Sequence, residues 1–576
     1  MPHDTRPSAE MLRRFGVAQL RPGQQAACDA IAAGRDVLVV LPTGGGKSLC
    51  YQLPAACGAA PAIVVSPLVA LMKDQVDALT RRGVCAGQLS GAATATERDR
   101  AWSLLEDGAL TLLYLAPEAI ASKATLRRLA RVVPRLLAVD EAHCISEWGE
   151  SFRPSYLGLG TVRRALGDPP TVALTATATP RTAREIVDRL ALRDPVIVSG
   201  GFDRANLRLW VRSVKSEAER LTGILALGQG AAGPAIVYAN SRRDTERLAG
   251  AYVRRGVAAA AFHAGLPTVE RAGVQERFQA NRLSIIVATN AFGMGVDKPD
   301  VRLVVHAAPP LTLEAYYQEA GRGGRDGNVA DCVLLHGPND LASARAQIHA
   351  DRVSSQLLAG LVAILADGES LRRVGAQVPE ALRRLGLALS AAPRDVAAAL
   401  RLLVEAGALA PSEGMGELRL LATGTRLEHD RSLDGADVAA LRAFLALRAA
   451  RSAVDQPVRS RDLRELAPDR DATRWLQRLA ARQVALWQPL SAPWRLAHRP
   501  SDELLAALAA RHTLRRERNL WRHGQVARMV VEARCRRLVL LRYFGDVGPR
   551  GPCGACDVCG TSRDLPPPWV VSRRVP

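Results

Sequence analysis

The feature that most constrains this chain is a rhythm of short apolar runs alternating with longer helical patterns. The runs are DVLVVLP at 36–42, AIVVSP at 62–67, LTLLYLAP at 110–117, LLAVDEA at 136–142 and TVALTATA at 171–178. Such alternation predicts a parallel α/β sheet. Each run ends in small, proline or acidic residues, where the ligand-binding loops of open α/β sheets lie. The rhythm resumes after about residue 200 with AIVYANS at 235–241, AAAFHAG at 259–265, LSIIVATN at 283–290 and VRLVVHAA at 301–308. Two stacked sheets with one cleft between them are therefore expected.

The 576 residues are several times what one hydrophobic core needs, and roughly three to five domains are expected. No run approaches the ~20 apolar residues of a spanning helix, and the first residues lack a signal-peptide pattern, so a soluble, cytoplasmic protein with no membrane partner is expected. Lys plus Arg outnumber Asp plus Glu by 77 to 57, a formal charge of +20, which favours a polyanionic partner. Only five of these cations are lysines, Lys47, Lys73, Lys123, Lys215 and Lys298. In so arginine-rich a chain, a retained lysine marks a position suited to a compact ammonium. Of ten cysteines, Cys28, Cys50, Cys57, Cys85, Cys144 and Cys332 are scattered and read as small buried hydrophobes. Cys535, Cys553, Cys556 and Cys559 cluster, which without export signals suggests metal before disulfide.

Pro42-Thr43-Gly44-Gly45-Gly46-Lys47-Ser48 follows the first run and opens a helical stretch. Consecutive glycines let backbone N–H groups curl around phosphate oxygens. Thr43, Gly44, Gly45 and Gly46 are thus expected to cradle ATP phosphates, Lys47 to reach the β/γ-phosphates and the Ser48 hydroxyl to ligate Mg²⁺. A glycine turn beside a surface lysine is the plain alternative for this motif alone. Asp140-Glu141-Ala142-His143 ends another apolar run. Phosphoryl transfer to water needs a metal-holding carboxylate and a group that orients or deprotonates the water, roles suited to Asp140 and Glu141. Thr175-Ala176-Thr177 closes the next run.

In this order the segments resemble those of superfamily 2 helicases and, within that group, the RecQ family. The TGGGKS form, with Leu41 where a strict P-loop has glycine, is the helicase variant. Phe15-Gly16 and Leu20-Arg21-Pro22-Gly23-Gln24 resemble the RecQ adenine-recognition segment, which implies Arg21 and Gln24 as base contacts. A side-chain amide pairs with donor and acceptor on the adenine edge. Val17 stands where many members carry a base-stacking tyrosine. Cys144-Ile145-Ser146-Glu147-Trp148-Gly149 and Phe152-Arg153-Pro154 resemble the RecQ aromatic-rich loop. The resemblance implies that Trp148 and Phe152 stack on single-stranded DNA while Arg153 bonds phosphate or base, reporting occupancy to Glu141. Members often have His and Asp where Glu150 and Ser151 stand. A buried Trp148 with a salt-bridged Arg153 is the structural alternative.

Gln318-Glu319-Ala320-Gly321-Arg322-Gly323-Gly324-Arg325 resembles helicase motif VI, which implies Gln318, Arg322 and Arg325 as catalytic and Arg325 as the finger on the γ-phosphate. Ala288 to Lys298 resembles motif V, and Ser66-Pro67-Leu68 with Lys73-Asp74-Gln75 resembles motif Ia.

Cys535-Arg536-Arg537, Tyr543-Phe544-Gly545 and the C-x₂-C-x₂-C set at 553–559 resemble the RecQ zinc module. Four thiolates suit a closed tetrahedral Zn²⁺ site, while three near-adjacent cysteines also suit an iron–sulfur cluster. The flanking residues place zinc ahead. In other RecQ proteins this module follows the second motor domain quickly and precedes a winged helix. Here about two hundred residues intervene. Arg394 to Ala408, the turn Ser412-Glu413-Gly414 and alternating Glu417 to Leu421 read as recognition helix plus wing, and a second helix-then-strand unit runs from Ala472 to about His498. A helical spacer is the alternative. With the chain ending soon after Cys559 and Pro566-Pro567-Pro568, no further C-terminal DNA-binding domain and narrower substrate handling are expected.

The expected architecture is two tandem RecA-like parallel-sheet domains at 1–200 and 201–340, a helical, winged-helix-like region at 341–505, a zinc module at 506–562 and a tail at 563–576. The implied function is an ATP-dependent, Mg²⁺-requiring DNA helicase of 3′–5′ polarity acting on single-stranded and forked duplex DNA in repair or recombination, in a bacterial-type cytoplasm at the nucleoid. Competing readings are a translocase or remodeller without strand separation, and a zinc and winged-helix DNA-binding protein with a vestigial motor. Lys47, Glu141 and Arg325 are all intact, against the last.

Overall fold

The computed structural model describes residues 7–560 apart from 43, 68, 91–92, 121, 147–153, 293–297, 368–377, 412–414, 421–457, 460–484, 490–493 and 547–550. The first set of runs forms β1 (Val37–Val40), β2 (Ala62–Val65), β3 (Ala86–Leu89), β4 (Leu112–Leu115), β5 (Leu136–Val139), β6 (Thr171–Thr175) and β7 (Val196–Ser199). They make one parallel sheet in the order β3-β4-β2-β5-β6-β1-β7.

The strands other than β3 and β7 are continuous in apolar character because both faces are covered. Leu38, Val40, Ile63, Val65, Leu113, Leu115, Leu137 and Val139 enter one core. Their neighbours Val37, Val39, Ala62, Val64, Leu112, Tyr114, Leu136 and Ala138 enter another. The strand period of two sorts each run between the two cores.

The second sheet contains β8 (Leu207–Ser213), β9 (Ala235–Tyr238), β10 (Ala259–Phe262), β11 (Ile285–Ala288), β12 (Leu303–His306) and β13 (Ala330–His336). It is also parallel, ordered β10-β11-β9-β12-β13-β8. Its faces divide in the same manner, Ile236, Ile286 and Val304 on one side and Val237, Ile285 and Val305 on the other. These are the two RecA-like lobes. β3, β7, β8 and β13 were not among the runs that announced the sheets; three of them lie at sheet edges and the fourth, β13, pairs with the edge strand β8.

Residues 346–517 form a compact unit of their own, and 1–345 with 518–576 form another. In the first of these, the helices Ser355–Ala366, Val378–Ala388 and Pro393–Glu405 share a core of Leu358, Leu361, Leu385, Val396, Leu400 and Leu403. β14 (Leu409–Pro411) pairs antiparallel with β18 (Trp494–Leu496). The alternating stretch is a strand, β15 (Met415–Leu420), paired antiparallel with β16 (Val458–Arg459) and β17 (Ala485–Pro489). Both sheets thus join strands from the two helix-then-strand stretches. The turn at 412–414, Leu421, residues 472–484 and the tail at 563–576 lie outside the described residues. Among the described residues no helix is long and apolar enough to cross a membrane.

Candidate active site and metal centre

β1 delivers the chain into the glycine loop, where Gly44 (φ +79°) and Gly46 (φ +71°) adopt left-handed backbone that a side chain would strain. Ser48 then opens the helix Leu49–Ala56, whose buried Tyr51 hydrogen-bonds with Ser48 and senses the charge of Asp140. Lys47 donates to the Leu41 carbonyl at 3.3 Å. Burial presses its ammonium below the usual lysine range, with Glu141 and Asp140 opposing and Arg325 adding to the pressure. Thr43 lies outside the described residues.

β5 ends at Val139, so Asp140 and Glu141 emerge at the same carboxyl end of the parallel strands as the glycine loop. Asp140 Oδ1 accepts from the Glu141 N–H at 3.0 Å. Burial and the neighbouring Glu141 push Asp140 up to about 7, against the pull of Lys47. Burial also raises Glu141, opposed by Lys47 and Arg322. Glu141 itself has left-handed backbone (φ 47°, ψ 45°), a strained state for a residue with a side chain and one that recurs at functional turns. The turn continues into His143, whose Nδ1 lies 2.9 Å from Thr175 Oγ1 and 3.3 Å from Glu141 Oε2. Burial, with Lys47 nearby, lowers this imidazole to about 4. The ring is neutral, and its contact with Glu141 is not an ion pair.

The second lobe reaches this site through the turn after the helix Leu313–Ala320. A methyl on Gly44 would lie 3.5 Å from Arg325 Cγ, so the Arg325 stem lies against the glycine loop. Arg322 is 3% exposed and close enough to act on Glu141 and to hydrogen-bond the buried Tyr238 hydroxyl. Its Nε and Nη1 are buried without a hydrogen-bond partner among the described residues. Desolvated donors of this kind are costly unless something else occupies them. Gln318 is half-buried on the same helix, beside Glu319, which pairs with His306 at 3.0 Å.

The structure therefore brings Gly44, Lys47, Asp140, Glu141, Arg322 and Arg325 together, with Ser48 adjoining through Tyr51. Gln24 behaves differently from a free base reader. Its Nε2 donates to the Gly45 and Gly46 carbonyls at 3.0 and 3.2 Å, and its Oε1 accepts from the Arg21 N–H at 3.0 Å. Reading an adenine edge requires exchanging those bonds. Arg21 Nη1 reaches the Gly44 carbonyl at 3.5 Å. Trp148, Phe152 and Arg153, like Gly293 to Asp297 of the motif V segment and Leu68, lie outside the described residues. Just past the aromatic-rich loop, Tyr156 donates its hydroxyl to the Asp140 carbonyl at 3.0 Å. Lys298 is 4% exposed, bonded to Asn281 at 2.7 Å and Asp300 at 2.9 Å, and serves the core. His143, Tyr238 and Tyr51 were not singled out from the sequence; nothing local distinguishes a buried tyrosine that meets an arginine from one that meets a leucine.

Asp140 fits a Mg²⁺ ligand on its own electrostatics, because a half-buried carboxylate pushed toward neutrality gains from a cation. The cysteines fit zinc. The Sγ atoms of Cys535, Cys553, Cys556 and Cys559 all lie within 4.8 Å of one another, against about 3.8 Å along the edge of a ZnS₄ tetrahedron. Against the burial that would raise it, hydrogen bonds from Cys556, Cys553 and Cys535 bring Cys559 down to about 7, so one thiolate is already favoured. Cys535 caps the helix Arg536–Tyr543. The Cys553–Cys559 loop docks on the open edge of the second sheet, Leu209 N–H donating to Ala555 and Asp557 N–H to Leu209.

Known proteins match in the same places. The DEAD/DEAH box helicase family matches residues 21–186, the helicase conserved C-terminal domain residues 217–327 and the RecQ zinc-binding family residues 504–560. The ATP-dependent DNA helicase RecQ of Pasteurella multocida is 43% identical over 328 residues, 57% of this chain and 52% of that protein. RecQ of Haemophilus influenzae is 42% identical over 57% of this chain and 53% of its own length. The chain thus spans about half the length of these two relatives. The probable ATP-dependent DNA helicase RecS of Bacillus subtilis is 41% identical over 353 residues, 61% of this chain and 71% of that protein. With two RecA-like lobes, a four-cysteine centre and this coverage, the chain belongs to the RecQ family of ATP-dependent DNA helicases.

Proposed function

We propose that the protein hydrolyses ATP in the cleft between its lobes and uses the cycle to move 3′ to 5′ along single-stranded DNA and open forked duplex, in a bacterial-type cytoplasm at the nucleoid. The observation that carries this reading is the meeting of Arg322 and Arg325, from the second lobe, with Glu141 and the glycine loop of the first. Such a site is complete only when the lobes are together, so hydrolysis is tied to their relative movement.

The glycine loop and Lys47 bind the phosphates. Ser48 and Asp140 would hold Mg²⁺, which would supply positive charge to neutralise the phosphates. Glu141 orients the attacking water and takes its proton, and its raised affinity for a proton suits a base that must accept one. Arg322 and Arg325 stabilise charge on the transferring phosphoryl group, Arg325 as the finger. Gln318 reports on the same phosphate from the helix beside them. Arg21 and Gln24 read the adenine once Gln24 leaves the loop carbonyls. Trp148, Phe152 and Arg153 contact single-stranded DNA, and Tyr156, held to Asp140, leads that contact back to the metal-binding turn. Residues 341–505 add a winged-helix-like DNA-binding region, the zinc module spans 506–562 and the tail 563–576.

The test is ATPase activity with and without single-stranded DNA for the parent and Lys47→Ala. DNA-stimulated hydrolysis lost in the variant supports the motor; equal rates in parent and variant refute it. A fluorescent fork assay follows. Stimulated hydrolysis without strand separation would instead identify a translocase.

A further inference from the structure

One cluster of buried charge outside the cleft takes no part in the chemistry above. Glu314 opens the helix Leu313–Ala320, the helix that bears Gln318 and runs into Arg322. It is 7% exposed. Its Oε1 accepts from the Tyr543 hydroxyl at 2.7 Å and lies 3.2 Å from Arg522 Nη2. Its Oε2 is buried with no hydrogen-bond partner among the described residues. Both partners come from the zinc-module segment, Arg522 from the helix Asp502–Val531 and Tyr543 from the helix Arg536–Tyr543.

The cluster faces two ways. Toward the first lobe, Glu314 and Arg522 both act electrostatically on His143, the residue that bonds Thr175 and adjoins Glu141. Toward the segment joining the lobes, Phe544 stacks on Phe202 at 4.5 Å and 11°. Asp546 accepts from the Phe202 N–H at 2.7 Å, and Arg537 pairs with Asp203 at 2.5 Å and donates to the Leu207 carbonyl at 2.7 Å. Adjacent residues of one short helix even enter different cores, Leu541 that of the first lobe and Leu540 that of the second.

We propose that Arg522 and Tyr543 are positioning residues for ATP hydrolysis: they hold Glu314, and through it the helix that delivers Arg322. The proposal rests on the motor reading above. A buried ion pair is a poor source of net stability, because desolvation offsets most of its attraction. A misplacement of a catalytic group by a fraction of an ångström to an ångström, by contrast, is strongly felt in the rate. A tyrosine hydroxyl and a guanidinium converging on one carboxylate fix its position in two directions.

The experiment uses the full chain with Tyr543→Phe, Glu314→Gln, Arg522→Gln and Arg522→Lys, measuring kcat and KM of DNA-stimulated ATPase, zinc per chain and thermal midpoint. Tyr543→Phe keeps the ring packing and removes only the hydroxyl. It is expected to lower kcat roughly threefold to thirtyfold with KM for ATP and zinc content unchanged. Arg522→Lys should recover part of what Arg522→Gln loses, and Tyr543→Phe with Glu314→Gln together should cost no more than Glu314→Gln alone. An unaltered kcat in Tyr543→Phe, or single effects that multiply in the double variant, overturns the proposal while leaving the motor intact. A parent chain without ATPase activity instead sinks the motor reading, and this inference with it.

Discussion

Arg322 and Arg536 are both buried arginines, and they are buried for opposite ends. Arg536, in the zinc module, is 7% exposed and every guanidinium nitrogen is engaged. Nε and Nη2 meet the two carboxylate oxygens of Asp557 at 3.0 Å each, and Nη1 serves the Met529 and Glu532 carbonyls. Arg322, in the cleft, has two buried nitrogens with no such partner among the described residues, and the carboxylates across from it, Asp140 and Glu141, are pushed toward neutrality by burial. A fully paired buried charge holds structure together, whereas an unpaired one is tolerated where a ligand will complete it. Arg322 is left for a ligand to complete, whereas Arg536 is completed by Asp557 and two carbonyls.

That contrast can be broken in four places. Metal removal should have the largest effect, because the free energy of a closed four-thiolate site is folding energy. Chelation, or Cys556→Ser, is expected to unfold the module and release its hold on β8, seen as protease sensitivity near residues 535–560; a chelated chain that stays protected would show the cysteines are not structural. Next, Arg322→Gln should reduce ATPase by roughly 10³-fold without lowering the thermal midpoint, and a matching loss of stability would mean the unpaired nitrogens serve the fold.

Arg536→Gln is the mirror image. Removing one partner of a buried pair costs about 3–5 kcal/mol, so chemical denaturation should shift strongly while the ATPase of the molecules still folded persists. Smallest is Asp140→Asn. Its carboxyl has a folded value raised to about 7, above that of an unfolded aspartate. Folding therefore favours the protonated form, and stability fully present below about pH 4 is lost progressively as pH rises to about 7. Without Mg²⁺ or nucleotide, the variant should be more stable than the parent at pH 8 by on the order of 1 kcal/mol and by roughly half as much at pH 5.5. Identical differences at the two pH values would mean that the fold does not raise Asp140.

How far each feature could be read ahead follows from how local its cause is. β1, β2, β4, β5, β6, β9, β10, β11 and β12 were visible because a strand covered on both faces must be apolar throughout. β3, at an edge, reads Ala86-Gly87-Gln88-Leu89, and β7 leaves Ile197 62% exposed; neither carries that signature. β8 and β13 pair with each other over seven residues, yet the apolar run of β8 is interrupted by Arg208 and Arg212, and its outer edge is covered by the cysteine loop. Alternation at 417–421 announced a strand, but not that its partners lie at 458–459 and 485–489. The glycine loop, the DEAH turn and the cysteine spacing were legible since each builds its chemistry from adjacent backbone. Gln24 was legible as an adenine contact implied by the family resemblance, but its actual bonds, to Gly45 and Gly46, depend on how two segments meet.

The residue order alone settled which chemical groups exist and what each local turn presents: phosphate-binding N–H groups, a carboxylate pair, two arginines and four thiols. Which of them face one another was left to packing. Arg325 lies against Gly44, Arg322 acts on Glu141 and Tyr543 grips Glu314 because two sheets and a metal-binding segment from distant parts of the polypeptide share buried surface. The physical reason is range. Backbone conformation and ligand type are decided within a few residues, but the field felt by a buried charge is set by whatever the fold places within several ångströms of it.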